Sequence, residues 1–110
     1  MSERDLQANV FELLRLALPE GAVAFAVPNG DGRKNRAPGT LAGVPDIAIV
    51  YRGRPIFIEL KTRKGVISNA QLAVQQRLCL AGAVVKVCRS LDDVHDFLGQ
   101  IIPLRTRLTA

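Results

Sequence analysis

The sequence predicts an α/β fold, a mixed β-sheet flanked by helices in the order αββ-βαβα, and three observations carry that reading. Apolar residues near the N-terminus recur at helical spacing. Two β-rich runs, 46–51 and 56–61, are separated only by Arg52-Gly53-Arg54-Pro55 and read as a hairpin. A helical segment then separates the hairpin from a later apolar strand, and a helix that crosses between strands implies a parallel pair beside the antiparallel one.

Taken in order, Leu6, Val10, Leu13, Leu14 and Ala17 mark one face of a helix from Glu3 to Leu18, stopped by Pro19 and Gly21. Ala22 to Val27 is a short strand, and Pro28-Asn29-Gly30-Asp31-Gly32 opens a loop that runs to about Val44. Seventeen residues is long for a structureless connection, and loops of that length are often functional or disordered. After the hairpin, Ser68 opens a second helix through about Ala81. Ala83 to Cys88 forms a buried strand, and Leu91 to Ile101 forms the last helix.

The 110 residues suit one compact domain over 1–110. With 48% hydrophobic and 23% charged residues the chain can bury a core without a structural metal or disulfide. Cys79 and Cys88 lie in apolar runs without zinc-site spacing and read as reduced core residues. The charged start and the lack of a long apolar stretch point to a cytoplasmic protein with no membrane contact. A net charge of +5 would attract polyanions, although many basic domains bind none. Aromatic residues make up 5%, with no Trp, which speaks against stacking on single strands and favours helical or branched DNA.

Chemistry concentrates on the hairpin. In the second strand Ile58 and Leu60 face one side, while Phe57, Glu59 and Lys61 face the other. A Glu-x-Lys pair alone is a weak signal and reads more simply as an ion pair on an exposed sheet face. Asp46, at the start of the partner strand after Pro45, is brought toward Glu59 by the hairpin, although alone it suits a turn residue bonded to nearby backbone. Two converging carboxylates repel unless a cation or proton lies between them, which invites a hard divalent ion such as Mg2+ or Mn2+.

Gly43-Val44-Pro45-Asp46, thirteen residues before Glu59-Leu60-Lys61, resembles the signature of PD-(D/E)XK nucleases. Glu3 and Gln7, Pro28-Asn29-Gly30, and then Gly65, Ser68, Gln71, Leu78, Gly82 and Arg89-Ser90 extend the resemblance to the VRR-NUC domain family along nearly the whole chain. It implies a restriction-endonuclease-like core and Mg2+- or Mn2+-dependent cleavage of DNA phosphodiesters. For stand-alone phage or bacterial members it further implies a homodimer acting on branched DNA such as Holliday junctions. By the same resemblance Asp46 and Glu59 hold the metal with the Leu60 carbonyl, and Lys61 orients water and offsets phosphate charge. Glu3 supplies a further carboxylate from the first helix, where Glu12 competes for the role. Gln71 helps position Lys61 or the water, yet Ser68-Asn69-Ala70-Gln71 equally fits a capping box with no catalytic purpose.

Arg33, Lys34 and Arg36 in the long loop, Arg52 and Arg54 in the hairpin, and Arg63 and Lys64 after the second strand are candidate phosphate contacts; solvated surface charge is the cheaper explanation for any one of them. Asn29-Gly30-Asp31-Gly32 lacks the later ligands of a calcium loop, and His95 reads as a surface or packing residue. The competing expectations are a nuclease-like module that binds nucleic acid without cutting it, and a basic domain that meets an acidic protein.

Overall fold

The computed structural model describes residues 1–28 and 37–106. Its elements are α1 (Glu3–Ala17), β1 (Val23–Ala26), β2 (Ile47–Tyr51), β3 (Arg54–Leu60), α2 (Asn69–Leu80), β4 (Val84–Cys88) and α3 (Leu91–Gly99). The four strands form one sheet in the order β1-β2-β3-β4, antiparallel except for the β3/β4 pair. This is the mixed sheet and element order that the sequence predicts.

Local chemistry explains the boundaries. Ser2 and Asp5 form a reciprocal capping box at the start of α1, and Ser68 and Gln71 do the same for α2, so each pair satisfies two otherwise orphaned amides. Ser90 caps α3 by accepting from the Asp93 amide. The hairpin turn is shorter than the four residues read from the sequence. Arg52 at φ 49° and Gly53 at φ 76° alone reverse the chain, and Arg54 and Pro55 already belong to β3. Pro55 is tolerated inside a strand because it sits one position beyond the Arg54 pair that closes the two-residue turn. There its missing N–H would point away from β2, toward a side where β4 begins only opposite Ile56.

Alternation assigns the two sheet faces. Ile47 and Ile49 from β2 and Ile56, Ile58 and Leu60 from β3 point to one face, where they meet Leu6, Val10 and Leu14 of α1 and Val94, Phe97 and Leu98 of α3. Each such aliphatic side chain taken fully out of water contributes about 1.5–3 kcal/mol, so this layer fixes the register of the hairpin. α2 lies on the opposite face and buries only Gln71 and Val74.

That second face is only half covered. Val23 and Phe25 of β1 and Val50 of β2 stay exposed, Phe25 at 49%, although the apolar run 22–27 is what one expects of a covered strand. β4 is an edge strand of which only Cys88 is buried, so it is less enclosed than its sequence suggests. Cys88 sits in the core, where burial pushes its thiol up to about 12. Cys79 corrects the reading of two core cysteines: it is exposed on α2, because no element packs over that part of the helix. His95 is half-buried and bonds the Thr106 carbonyl at 2.9 Å, a packing role. No helix among the described residues is long and apolar enough to cross a membrane.

Candidate active site

The hairpin register sets Ile47 opposite Ile58, which places Asp46 and Glu59 side by side at the end of the sheet away from the turn. Glu59 is 1% exposed and Lys61 9% exposed. The exposed-face ion pair is therefore not what this strand makes. Among the described residues the one salt bridge is Arg15 with Glu12, so Glu59 and Lys61 share a face without closing a contact.

Asp46 Oδ2 accepts the Leu60 amide at 2.7 Å, which locks the carboxylate across the β2/β3 pair. Both alternatives for Asp46 thus meet in one geometry, a backbone-bonded aspartate that also borders Glu59. Glu59 Oε2 accepts from Gln71 Nε2 at 3.3 Å, whereas its buried Oε1 has no partner. Gln71 is oriented by its cap. The Ser68 amide donates to Gln71 Oε1 at 2.9 Å, which turns the side chain's NH2 toward Glu59. Capping and site-facing roles therefore coexist in Gln71.

The electrostatics follow from burial. Glu59 is pushed up to about 8, first by removal from water and then by the neighbouring Asp46 carboxylate, with Lys61 opposing and Glu3 adding. Glu3 thus lies near enough for its charge to disfavour a second one at Glu59. Glu12, its competitor on α1, is instead occupied by Arg15 at 3.0 Å. The N-terminal end of α1 reaches the same corner of the molecule, where Met1 and Leu6 line a small cleft of about 200 Å³ with Thr62, Arg63 and Arg89.

A divalent ion fits this donor set. A buried carboxylate oxygen is left without a donor, a second carboxylate lies beside it, and burial disfavours the charged form of Glu59 unless a cation offsets it. Magnesium commonly takes one or two carboxylates and keeps several waters, so two suffice. Leu60 has its side chain in the core and its amide bonded to Asp46, which leaves its carbonyl as the group it could offer an ion.

The basic candidates separate by position. Arg63 and Lys64 are exposed just beyond Lys61, at the site end of the sheet. Arg52 in the turn and Arg54 just after it lie at the other end, where Arg52 is 5.3 Å from the Tyr51 ring centre and Arg54 donates to the Ile101 carbonyl at 2.9 Å. Arg33, Lys34 and Arg36 lie outside the described residues. Two features were not assigned a role from the sequence. Gly43 packs against the first turn of α2, and Arg89 grips the turn after Lys61. The β3/β4 register is what brings Arg89 near, and no local pattern signals it.

The sequence matches no protein-family model and no curated protein. Among solved structures, one described as a VRR_NUC domain protein superposes with a TM-score of 0.78 at 22% identity, over 93% of this chain and 88% of that one. Another, described as a VRR_NUC domain, gives a TM-score of 0.63 at 24% identity, over 92% and 98%. The likeness is one of fold, and it agrees with the VRR-NUC resemblance that the residues carry.

Proposed function

We propose that this chain is a metal-dependent endodeoxyribonuclease of the VRR-NUC type, acting on branched or structured DNA such as four-way junctions. The observation that carries the reading is the buried Glu59 carboxyl beside Asp46, one oxygen held by Gln71 and the other without a donor. Buried carboxylates arranged this way cost stability, and such a cost is tolerated where a site is used.

Asp46 and Glu59, with the Leu60 carbonyl, would hold Mg2+ or Mn2+. When bound, the ion supplies Lewis-acid activation of water and neutralises charge on the phosphate. Lys61 orients the attacking water and offsets the negative charge that builds on the phosphoryl oxygens as the water oxygen bonds to phosphorus and the ester P–O bond breaks. Gln71 fixes the Glu59 carboxylate, Glu3 adds negative charge at the mouth of the site, and Arg63 and Lys64 position the backbone beside it. The uncovered sheet face with Val23, Phe25 and Val50 supports pairing into a homodimer, which would set two sites about a two-fold axis to match a symmetric junction.

The second reading is a non-catalytic nucleic-acid-binding module on the same fold, which the net charge of +5 would serve equally well. The deciding experiment is cleavage of a labelled four-way junction and a matched duplex with Mg2+, Mn2+ or EDTA, by wild type, Glu59→Gln and Lys61→Ala. Metal-dependent cutting that both substitutions lower severely, Lys61→Ala to a small residual rate, supports the nuclease. Salt-sensitive binding without a cut product under every condition supports the module.

A further inference from the structure

We infer that Arg89 is a positioning residue for Lys61, acting through the turn that follows it; this rests on the nuclease reading above. Lys61 is the last residue before a tight turn, closed by the Gly65 amide donating to the Thr62 carbonyl at 3.0 Å. The Arg89 guanidinium donates through one nitrogen to both ends of that turn, to Thr62 O at 2.9 Å and Gly65 O at 2.7 Å. Arg89 is itself held: its amide donates to Asp93 Oδ2 at 2.8 Å, and the Asp93 amide donates to Ser90 Oγ at 3.0 Å, the cap of α3. One residue earlier, the Cys88 carbonyl accepts the Lys61 amide at 3.1 Å. The end of β4 thus grips both the lysine and the turn behind it.

The turn runs beside the lysine side chain. A β-carbon at Gly65 would lie 3.2 Å from Lys61 Cδ and 3.4 Å from Lys61 Cβ, so a glycine is what lets the turn lie close along the aliphatic stem. A lysine has four side-chain torsions and large rotamer entropy, and a turn close on one side is what restricts its ammonium to one corner of the site. An arginine suits the task because its permanently charged guanidinium carries two N–H donors on one terminal nitrogen, one for each carbonyl.

The test is a double-mutant cycle on metal-dependent cleavage with wild type, Arg89→Ala, Lys61→Ala and the double variant, beside Arg89→Lys and Gly65→Ala. Arg89→Ala is expected to lower kcat roughly tenfold to a hundredfold with KM nearly unchanged, the scale of a small misplacement of a reacting group. Arg89→Lys should recover part of the loss, and Gly65→Ala should reproduce the same kcat-specific defect. In the Lys61→Ala background, removing Arg89 should cost nothing further in the residual rate. A raised KM, or an Arg89→Ala loss that persists in full without Lys61, would overturn the inference in favour of direct DNA contact. If Arg89→Ala does not fold, Arg89→Lys and Gly65→Ala decide on the same criteria. Wild type that cuts, with Arg89 variants that cut equally well, removes this inference alone. Wild type that never cuts removes the nuclease reading and this inference with it.

Discussion

Gly43 lies so close to Ala70 that a β-carbon on the glycine would stand 2.6 Å from the Ala70 carbonyl oxygen, and its φ of +90° is one that other residues rarely adopt. The loop that delivers Asp46 is therefore seated directly on the first turn of the helix that delivers Gln71. Gly43→Ala must separate the two, and the strained φ alone costs about 1–3 kcal/mol. Chemical denaturation should show a loss of at least that size, and cleavage should fall along with it. An alanine variant as stable as wild type would mean that the loop and α2 are not seated on one another.

Gln71 serves two structures, and comparison with Ser68 separates them. Ser68→Ala removes the hydroxyl that caps α2 but leaves the Glu59 contact intact, so it should cost about 1 kcal/mol of stability with cleavage largely retained. Gln71→Ala loses the reciprocal cap and also strips Glu59 of its donor. Its stability loss should be similar or larger, and its cleavage rate should drop well below that of Ser68→Ala. Parallel denaturation and single-turnover cleavage on the two variants check this, and equal rates would reduce Gln71 to a cap.

Glu59 makes the stability of the metal-free protein depend on pH. Its carboxyl goes from 4.5 in an unstructured chain to about 8 in the fold, so the folded state binds the proton more tightly. The stabilising contribution is complete below about pH 4.5, is lost as pH rises through the folded value near 8, and levels off above it. Melting in EDTA should show wild type losing stability relative to Glu59→Gln across that window. Mg2+ or Mn2+ should restore more stability at the upper end than at the lower, since an ion competes with the proton for the same oxygens. A wild type that tracks Glu59→Gln at every pH, with no effect of either ion, would show that Glu59 is not the strained group of this site.

Much of this fold is legible in the sequence because its local signals agree with one another. The helical spacing of α1, the S-x-x-Q start of α2 and the two β-rich runs around Gly53 each specify an element that the tertiary structure keeps. That Asp46 and Glu59 lie side by side is legible for the same reason: a hairpin converts sequence separation into register, and register places side chains. What the sequence hides is long-range. Burial of Glu59 depends on α2 lying over that face, the exposure of Phe25 depends on α2 stopping short of β1, and the grip of Arg89 depends on the parallel β3/β4 register. None of these leaves a periodic trace in the segment concerned. The turn length was misread for a local reason, since Pro55 looks like a strand breaker until its missing N–H is seen to face the side where β4 has not yet begun.

The position of the basic residues makes a last prediction about how DNA is held. If the backbone crosses the Asp46–Glu59 end of the sheet, exposed Arg63 and Lys64 lie on its path, while Arg52 and Arg54 stand at the far end with their side chains engaged on Tyr51 and Ile101. Each phosphate contact releases counterions, so removing one should weaken binding and reduce the slope of log K against log salt by about 1. Lys64→Ala and Arg63→Ala should each do this in fluorescence-anisotropy titrations of a junction at several salt concentrations. Arg52→Ala should leave the slope unchanged, and Arg54→Ala should act on stability through its lost bond to the Ile101 carbonyl. Equal losses of slope from Arg52 and Lys64 would place the DNA along the length of the sheet rather than across its end.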